Sequence, residues 1–183
     1  MARRRVATYD DVLAADPRLV AELIDGELHT SPRPSGLHLN AEMALALAIG
    51  GPFGQGKGGP GGWHILFEPE LHLVGQVLCP DLAGWRSERL ATLDVPYFET
   101  APDWLCEVAS PATAAKDRAL KMPHYARAAV RHLWLVEPRN RTLEVYRNEG
   151  GAWLLVATHV GDARVRAEPF DAIELELATL WAV

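Results

Sequence analysis

Asp103-Trp104-Leu105-Cys106-Glu107-Val108-Ala109-Ser110-Pro111 is the stretch on which the reading of this chain turns. Asp103 to Ala109 reads as a strand apolar on both faces, with one carboxylate, Glu107, inside it. A buried carboxylate is costly unless a cation, a hydrogen-bond donor or a metal compensates it. Ser110-Pro111 then starts a helix, with Ser110 as N-cap and Pro111 at the first helical position. That helix is expected to run to about Ala129, kinked where Pro123 lacks a backbone donor. Along it Asp117, Lys121 and Tyr125 fall four apart and share a face. The helix follows the strand at once, so its inner face packs back onto the sheet and Lys121 comes within reach of Glu107. The plainer alternative leaves Lys121 as the partner of Asp117 on a solvated face. Arg118, Arg127 and Arg131 make this the most basic element of the chain, a candidate for phosphate contacts.

A second acid sits in similar surroundings. Asp81 lies in Val77-Leu78-Cys79-Pro80-Asp81-Leu82-Ala83, within a strand expected over Val77–Trp85. Two carboxylates on neighbouring strands can hold magnesium or manganese, with waters and a phosphate completing the shell. A structural ion pair with arginine is the plainer reading of each.

Outward from these segments, a short helix is expected over Tyr9–Ala15. Val20–Ile24 and Glu27–Thr30 flank Asp25-Gly26, a two-residue hairpin signal. Ser31–Gly36 reads as a loop, and Leu37–Ile49, rich in Ala, Leu, Met and Glu, as a helix. Gly50–Gly62 holds eight glycines in thirteen residues and reads as a flexible surface loop. Trp63–Val74 alternates as one strand, and His132–Val136, Thr142–Arg147 and Ala152–Val160 read as three more. Helices interspersed with strands imply an α/β (α+β) fold, a mixed sheet with helices on it. No linker or repeat divides residues 1–183, so a single domain is expected.

The 183 residues are 49% hydrophobic and 23% charged, enough apolar content to bury a core and too much for a disordered chain. No apolar run is long enough to span a membrane. Arg3-Arg4-Arg5 is followed by acids rather than an apolar segment, so no export signal is expected. With two cysteines only, a reducing cytoplasm and free thiols at Cys79 and Cys106 are expected. The net charge of -6 excludes coating of nucleic acid by bulk charge, though not a local basic surface. Arginines number 15 and lysines three, Lys57, Lys116 and Lys121, so each lysine merits a question.

Other motifs carry less. Gly51 and Gly56-Lys57 have Walker A spacing, but Gly58 replaces the hydroxyl residue, and no strand precedes the loop. His64, Glu68, Glu70 and His72 share a face of the Trp63–Val74 strand, a zinc pattern that Pro69 interrupts. No Gly-x-Ser-x-Gly elbow is present.

Pro80-Asp81, Glu107 and a nearby lysine resemble the PD-(D/E)XK nuclease superfamily. The likeness sharpens with Glu22-Leu23-Ile24-Asp25-Gly26-Glu27-Leu28, His38, Glu107-Val108-Ala109-Ser110-Pro111-Ala112-Thr113, Asp117, Lys121, Tyr125 and Trp134-Leu135-Val136. Together these resemble the Uma-type restriction endonuclease family, a bacterial domain of unknown function, over nearly the whole chain. The resemblance implies a restriction-endonuclease-like core, here with an extra N-terminal hairpin. It implies a magnesium- or manganese-dependent endonuclease acting on DNA, and a homodimer. Asp81 and Glu107 would ligate the ion, helped by the carbonyl of Val108, and Lys121 would orient the attacking water or stabilise the transition state. Glu22, His38, Glu68, Asp117 and Tyr125 would be auxiliary. The superfamily's lysine lies two residues after the acid, where this chain has Ala109; Lys121 on the following helix fits the role instead. The rival expectation is a catalytically silent module that keeps the nuclease fold.

Overall fold

The computed structural model describes residues 5–110 and 114–182. The Pro111 helix start expected from sequence lies outside the described residues. α1 (Tyr9–Leu13) leads into the expected hairpin, β1 (Leu19–Ile24) and β2 (Glu27–Pro32), which pair antiparallel with Ile24 opposite Glu27. Asp25 and Gly26 at its turn have φ of 51° and 74°, the pair of positive values a type I′ turn requires.

α2 (Gly36–Ile49) does not stop at the glycine run. It continues as one wider π turn over Gly50–Gly54, held down by the buried ring of Phe53. The loop expected over Gly50–Gly62 is therefore helical in its first part.

Two long strands expected from sequence are each divided. Trp63–Val74 becomes β3 (Trp63–Phe67) and β4 (Leu71–Leu73), and Val77–Trp85 becomes β5 (Gln76–Leu78) and β6 (Leu82–Arg86). The halves join different sheets: β4 and β5 belong to a four-stranded sheet ordered β2-β1-β5-β4, while β3 and β6 belong to the large one. Pro69 and Pro80 explain the breaks, since neither can donate to a ladder. Both halves stay apolar because each is buried against a different layer, so the sequence pattern runs on across the break.

β7 (Trp104–Val108) is buried at every position. With β8 (His132–Glu137), β9 (Thr142–Glu149) and β10 (Ala152–Val160) it completes the six-stranded sheet β10-β9-β8-β7-β6-β3. β7 and β8 run parallel and the other neighbours antiparallel, so the sheet is mixed as expected. A small pair, β11 (Arg164–Val165) and β12 (Leu175–Glu176), follows.

The crossover between β7 and β8 carries α3 (Ala114–Lys116), a π turn over Asp117–Lys121, and α4 (Met122–Arg127). Here the Met122 N–H reaches back five residues to the Asp117 carbonyl. The expected kink at Pro123 takes this form: the proline offers no N–H to the preceding turn, and that turn widens.

The large sheet is covered on both faces. One face packs Trp63, Trp104 and Trp134 against Leu45 and Ile49 of α2 and against Phe170. The other packs Trp85, Leu105 and Leu133 against Met122 and Tyr125, and against Ile24, Leu71 and Leu78 of the smaller sheet. Among the described residues no helix is long and apolar enough to cross a membrane. In the β6–β7 register Leu82 faces Cys106, which brings Asp81, just before β6, beside the end of β7 that holds Glu107.

Phe170 touches the rings of Phe53, Trp63, Trp104 and Trp134 at centroid distances of 4.7–5.6 Å. Phe170→Ala is expected to cost about 3–5 kcal/mol, read as a lower urea midpoint at unchanged slope. Leu47→Ala, on the exposed face of α2, should stay within about 0.5 kcal/mol.

Candidate active site

A cleft of about 390 Å³ opens where β6 begins and β7 ends. Its walls include Asp81, Glu107, Lys121, Glu22, His38 and Lys116. Asp81 is not inside a strand, as expected from sequence; it closes the Cys79-Pro80-Asp81 link between the two sheets, and its side chain is 18% exposed. Both its oxygens are held. Oδ1 lies 2.9 Å from His38 Nε2, and Oδ2 accepts a hydrogen bond from the Val108 N–H at 2.5 Å. Val108, expected to offer its carbonyl to an ion, thus uses its N–H to fix the neighbouring acid.

Glu107 is buried on the face of β7 turned toward the crossover helix. Its Oε1 accepts from Lys121 Nζ at 2.8 Å and from the Tyr125 hydroxyl at 2.8 Å. No arginine pairs with either acid among the described residues. Burial pushes the Glu107 carboxyl well above the usual range, and the Lys121 charge only partly offsets it, because Asp117, Asp81 and Glu22 surround the same point.

Lys121 is 3% exposed. Its ammonium has three N–H groups and meets three acceptors: Glu107 Oε1 at 2.8 Å, Glu22 Oε1 at 2.9 Å and the Cys79 carbonyl at 3.0 Å. Asp117 Oδ1 stands further off, at 3.9 Å. Glu22, from β1, completes the network. Its Oε1 also accepts from the Cys79 N–H at 2.9 Å, and its Oε2 meets Lys116 Nζ at 2.6 Å; Lys116 also donates to Ser31 Oγ at 2.8 Å. Burial alone would raise the Glu22 carboxyl, but Lys121 and Lys116 bring it down to about 2.

Other residues singled out from sequence divide. Glu68 and Asp117 line the cleft, and Glu68 pairs with Arg33 at 3.5 Å. Tyr125 sits behind Glu107, buried, and is no part of the lining. Arg118, Arg127 and Arg131 are not at the cleft either. Arg118 pairs with Glu144, Arg127 lies against His124, and Arg131 faces Asp103. The basic groups that line it besides Lys121 are Arg33, Arg139 and Lys116. The imagined zinc face does not exist as one face: His64 is on β3, whereas Glu70 and His72 contact each other beside the smaller sheet. Cys79 and Cys106 are free thiols, both pushed up by burial.

Sequence reasoning passed over Glu42 and Lys116. Glu42 follows His38 by one turn of α2 and is 4% exposed. His38, Glu42 and Asp81 bring ligand atoms within 4.8 Å of one another. Burial and the nearby Asp81 raise the Glu42 carboxyl to about 7, with His38 opposing. The His-x-x-x-Glu spacing inside an expected helix was the signal that could have found it. For Lys116 the scarcity of lysine was the only hint.

The Glu22 carboxyl titrates lower in the folded chain than its ordinary 4.5, so it adds stability that is present above pH 4.5 and lost as pH falls toward 2. Glu22→Gln is expected to lose about 3 kcal/mol at pH 7, at 1.36 kcal/mol per unit, and to flatten the acid limb of a urea-midpoint profile. An unchanged acid limb would show that Glu22 is not the group held by the two lysines.

The model of the Uma2 family, described as "Putative restriction endonuclease", matches residues 6–179. A crystal structure of "a putative nuclease belonging to DUF820" from Anabaena variabilis ATCC 29413 superposes with a TM-score of 0.75. It is 21% identical, over 95% of this chain and 97% of that one, so the likeness is one of fold. No curated protein matches the chain. A mixed sheet covered on both faces, with a match from residue 6 to residue 179, makes this chain a member of the Uma2 family.

Proposed function

We propose that the chain is a divalent-metal-dependent nuclease that hydrolyses phosphodiester bonds of DNA. One observation carries this reading: a single cleft gathers Asp81 from a strand start, Glu107 from the central strand and Lys121 from the crossover helix. The residues suit a divalent ion. Acids outnumber cations along the cleft, and no hydrogen bond among the described residues engages Glu107 Oε2. Asp81 and Glu107, with the Val108 carbonyl, would hold Mg2+ or Mn2+. A bound ion supplies Lewis acidity and offsets charge on the phosphate.

The chain's own groups do the rest. The Val108 N–H and His38 hold the Asp81 carboxylate in one orientation. Lys121, with its donors engaged, acts as a fixed positive charge that keeps Glu107 in place and lies close to the phosphate position. Arg33, Arg139 and Lys116 line the approach and suit backbone phosphates.

The test is cleavage of plasmid and single-stranded DNA with Mg2+ or Mn2+. Asp81→Asn should lose at least about a thousandfold in rate, since a metal's several kcal/mol of transition-state stabilisation divide at 1.36 kcal/mol per factor of ten. Its circular dichroism should be unchanged. Intact DNA with wild-type protein and either ion would overturn the nuclease reading in favour of a silent module with the same fold.

A further inference from the structure

Glu42 is the one acid beside the cleft whose position the network described above does not explain. It is 4% exposed, and among the described residues no hydrogen bond or ion pair reaches its carboxylate. An unpartnered, largely buried carboxylate is costly in its charged form, and a cation beside it would remove that cost. Its surroundings show where that charge belongs. Its ligand oxygen, His38 Nε2 or Nδ1 and an Asp81 oxygen all lie within 4.8 Å of one another. His38 and Glu42 are one turn apart on α2, and Asp81 turns Oδ1 toward that helix, 2.9 Å from His38 Nε2.

We propose that His38, Glu42 and Asp81 bind a divalent first-row transition ion on the α2 side of Asp81. Two ligands of one ion, each at about 2.1 Å and a right angle apart, lie about 3 Å from each other, which is the present spacing of His38 and Asp81. All three ligand atoms lie within 4.8 Å of one another, and two opposite ligands at about 2.1 Å stand about 4.2 Å apart, so a small turn of the Glu42 side chain completes the set. The donor set distinguishes this site from the magnesium reading of Asp81 and Glu107. Carboxylates alone suit Mg2+, whereas an imidazole nitrogen shifts preference from Mg2+ toward first-row transition ions, of which Mn2+ gains least. It also leaves the Glu107–Lys121–Tyr125 contacts undisturbed. The inference shares Asp81 with the proposed nuclease site but does not need hydrolysis to hold.

The experiment uses the full chain freed of metal with a chelator and titrated with MnCl2 or MgCl2 by calorimetry. Mn2+ should bind more tightly than Mg2+, and pulsed electron paramagnetic resonance of the Mn2+ form should show coupling to an imidazole nitrogen. Glu42→Gln should weaken Mn2+ by more than about tenfold, because even groups that only orient ligands are worth 10–100-fold. Glu176→Gln, an exposed partner of Arg164 away from the cleft, should leave Mn2+ binding within about twofold. The nitrogen coupling is read on wild-type protein, so it stands even if a variant misfolds. No Mn2+ binding, no nitrogen coupling, or unchanged affinity in Glu42→Gln would each overturn the inference. Failures are separable. Mn2+ bound with nitrogen coupling but no DNA cleavage would sink the nuclease reading alone. Cleavage without that coupling would sink this one alone.

Discussion

The arrangement depends on one buried ammonium. Taking the Lys121 charge out of water costs several kcal/mol, and only close, well-aligned acceptors offset that. Those acceptors come from three places: Glu22 on β1, Glu107 on β7 and the carbonyl of Cys79 on the link between the sheets. The ammonium therefore ties the smaller sheet, the central strand and the crossover helix to one point. Both backbone groups of Cys79 are held, its N–H by Glu22 and its carbonyl by Lys121. Two residues later comes Asp81, so the acid at the cleft mouth inherits its position from the lysine at the back.

This division of labour bears on what each group can do chemically. Lys121 has no donor to spare while Glu22, Glu107 and Cys79 stay where they are. Lys116, less buried, shares Glu22 from the other oxygen and reaches toward the rim. The pair of lysines brackets one carboxylate, which explains why Glu22 titrates low although it is buried. Glu107, with one lysine and three acids around it, goes the other way.

Much of this was legible in the sequence where local chemistry is decisive. Asp25-Gly26 specified its turn because few other pairs accept two positive φ values, and Glu107 stood out because an acid inside a fully apolar strand demands a partner. Strand length was misread where apolar periodicity crossed Pro69 and Pro80, since periodicity reports burial and not which sheet provides it. The basic helix suggested phosphate contacts, yet Arg118, Arg127 and Arg131 found partners elsewhere, because the spacing of charges on a helix does not say which face opens onto the cleft. Arg33 and Arg139, from loops with no pattern, line it instead. Glu42 was hidden by its helix-forming neighbours, which made it look like one more solvated residue.

The widened turn at Asp117–Lys121 has a consequence for how the family's chains can vary in length. A π turn accommodates one residue more than an α turn, and each residue advances a helix by about 100°. Removing one residue there would let the turn close to an ordinary α turn, in which residues four apart share a face as residues five apart do in the wide turn, so Lys116 and Lys121 would still face the same side. Surface turns such as Gly150-Gly151 can gain or lose residues with little effect on the site. In the crossover the tolerance is that one residue: a further loss, or a gain, would turn Lys116 away from the carboxylate that both lysines share.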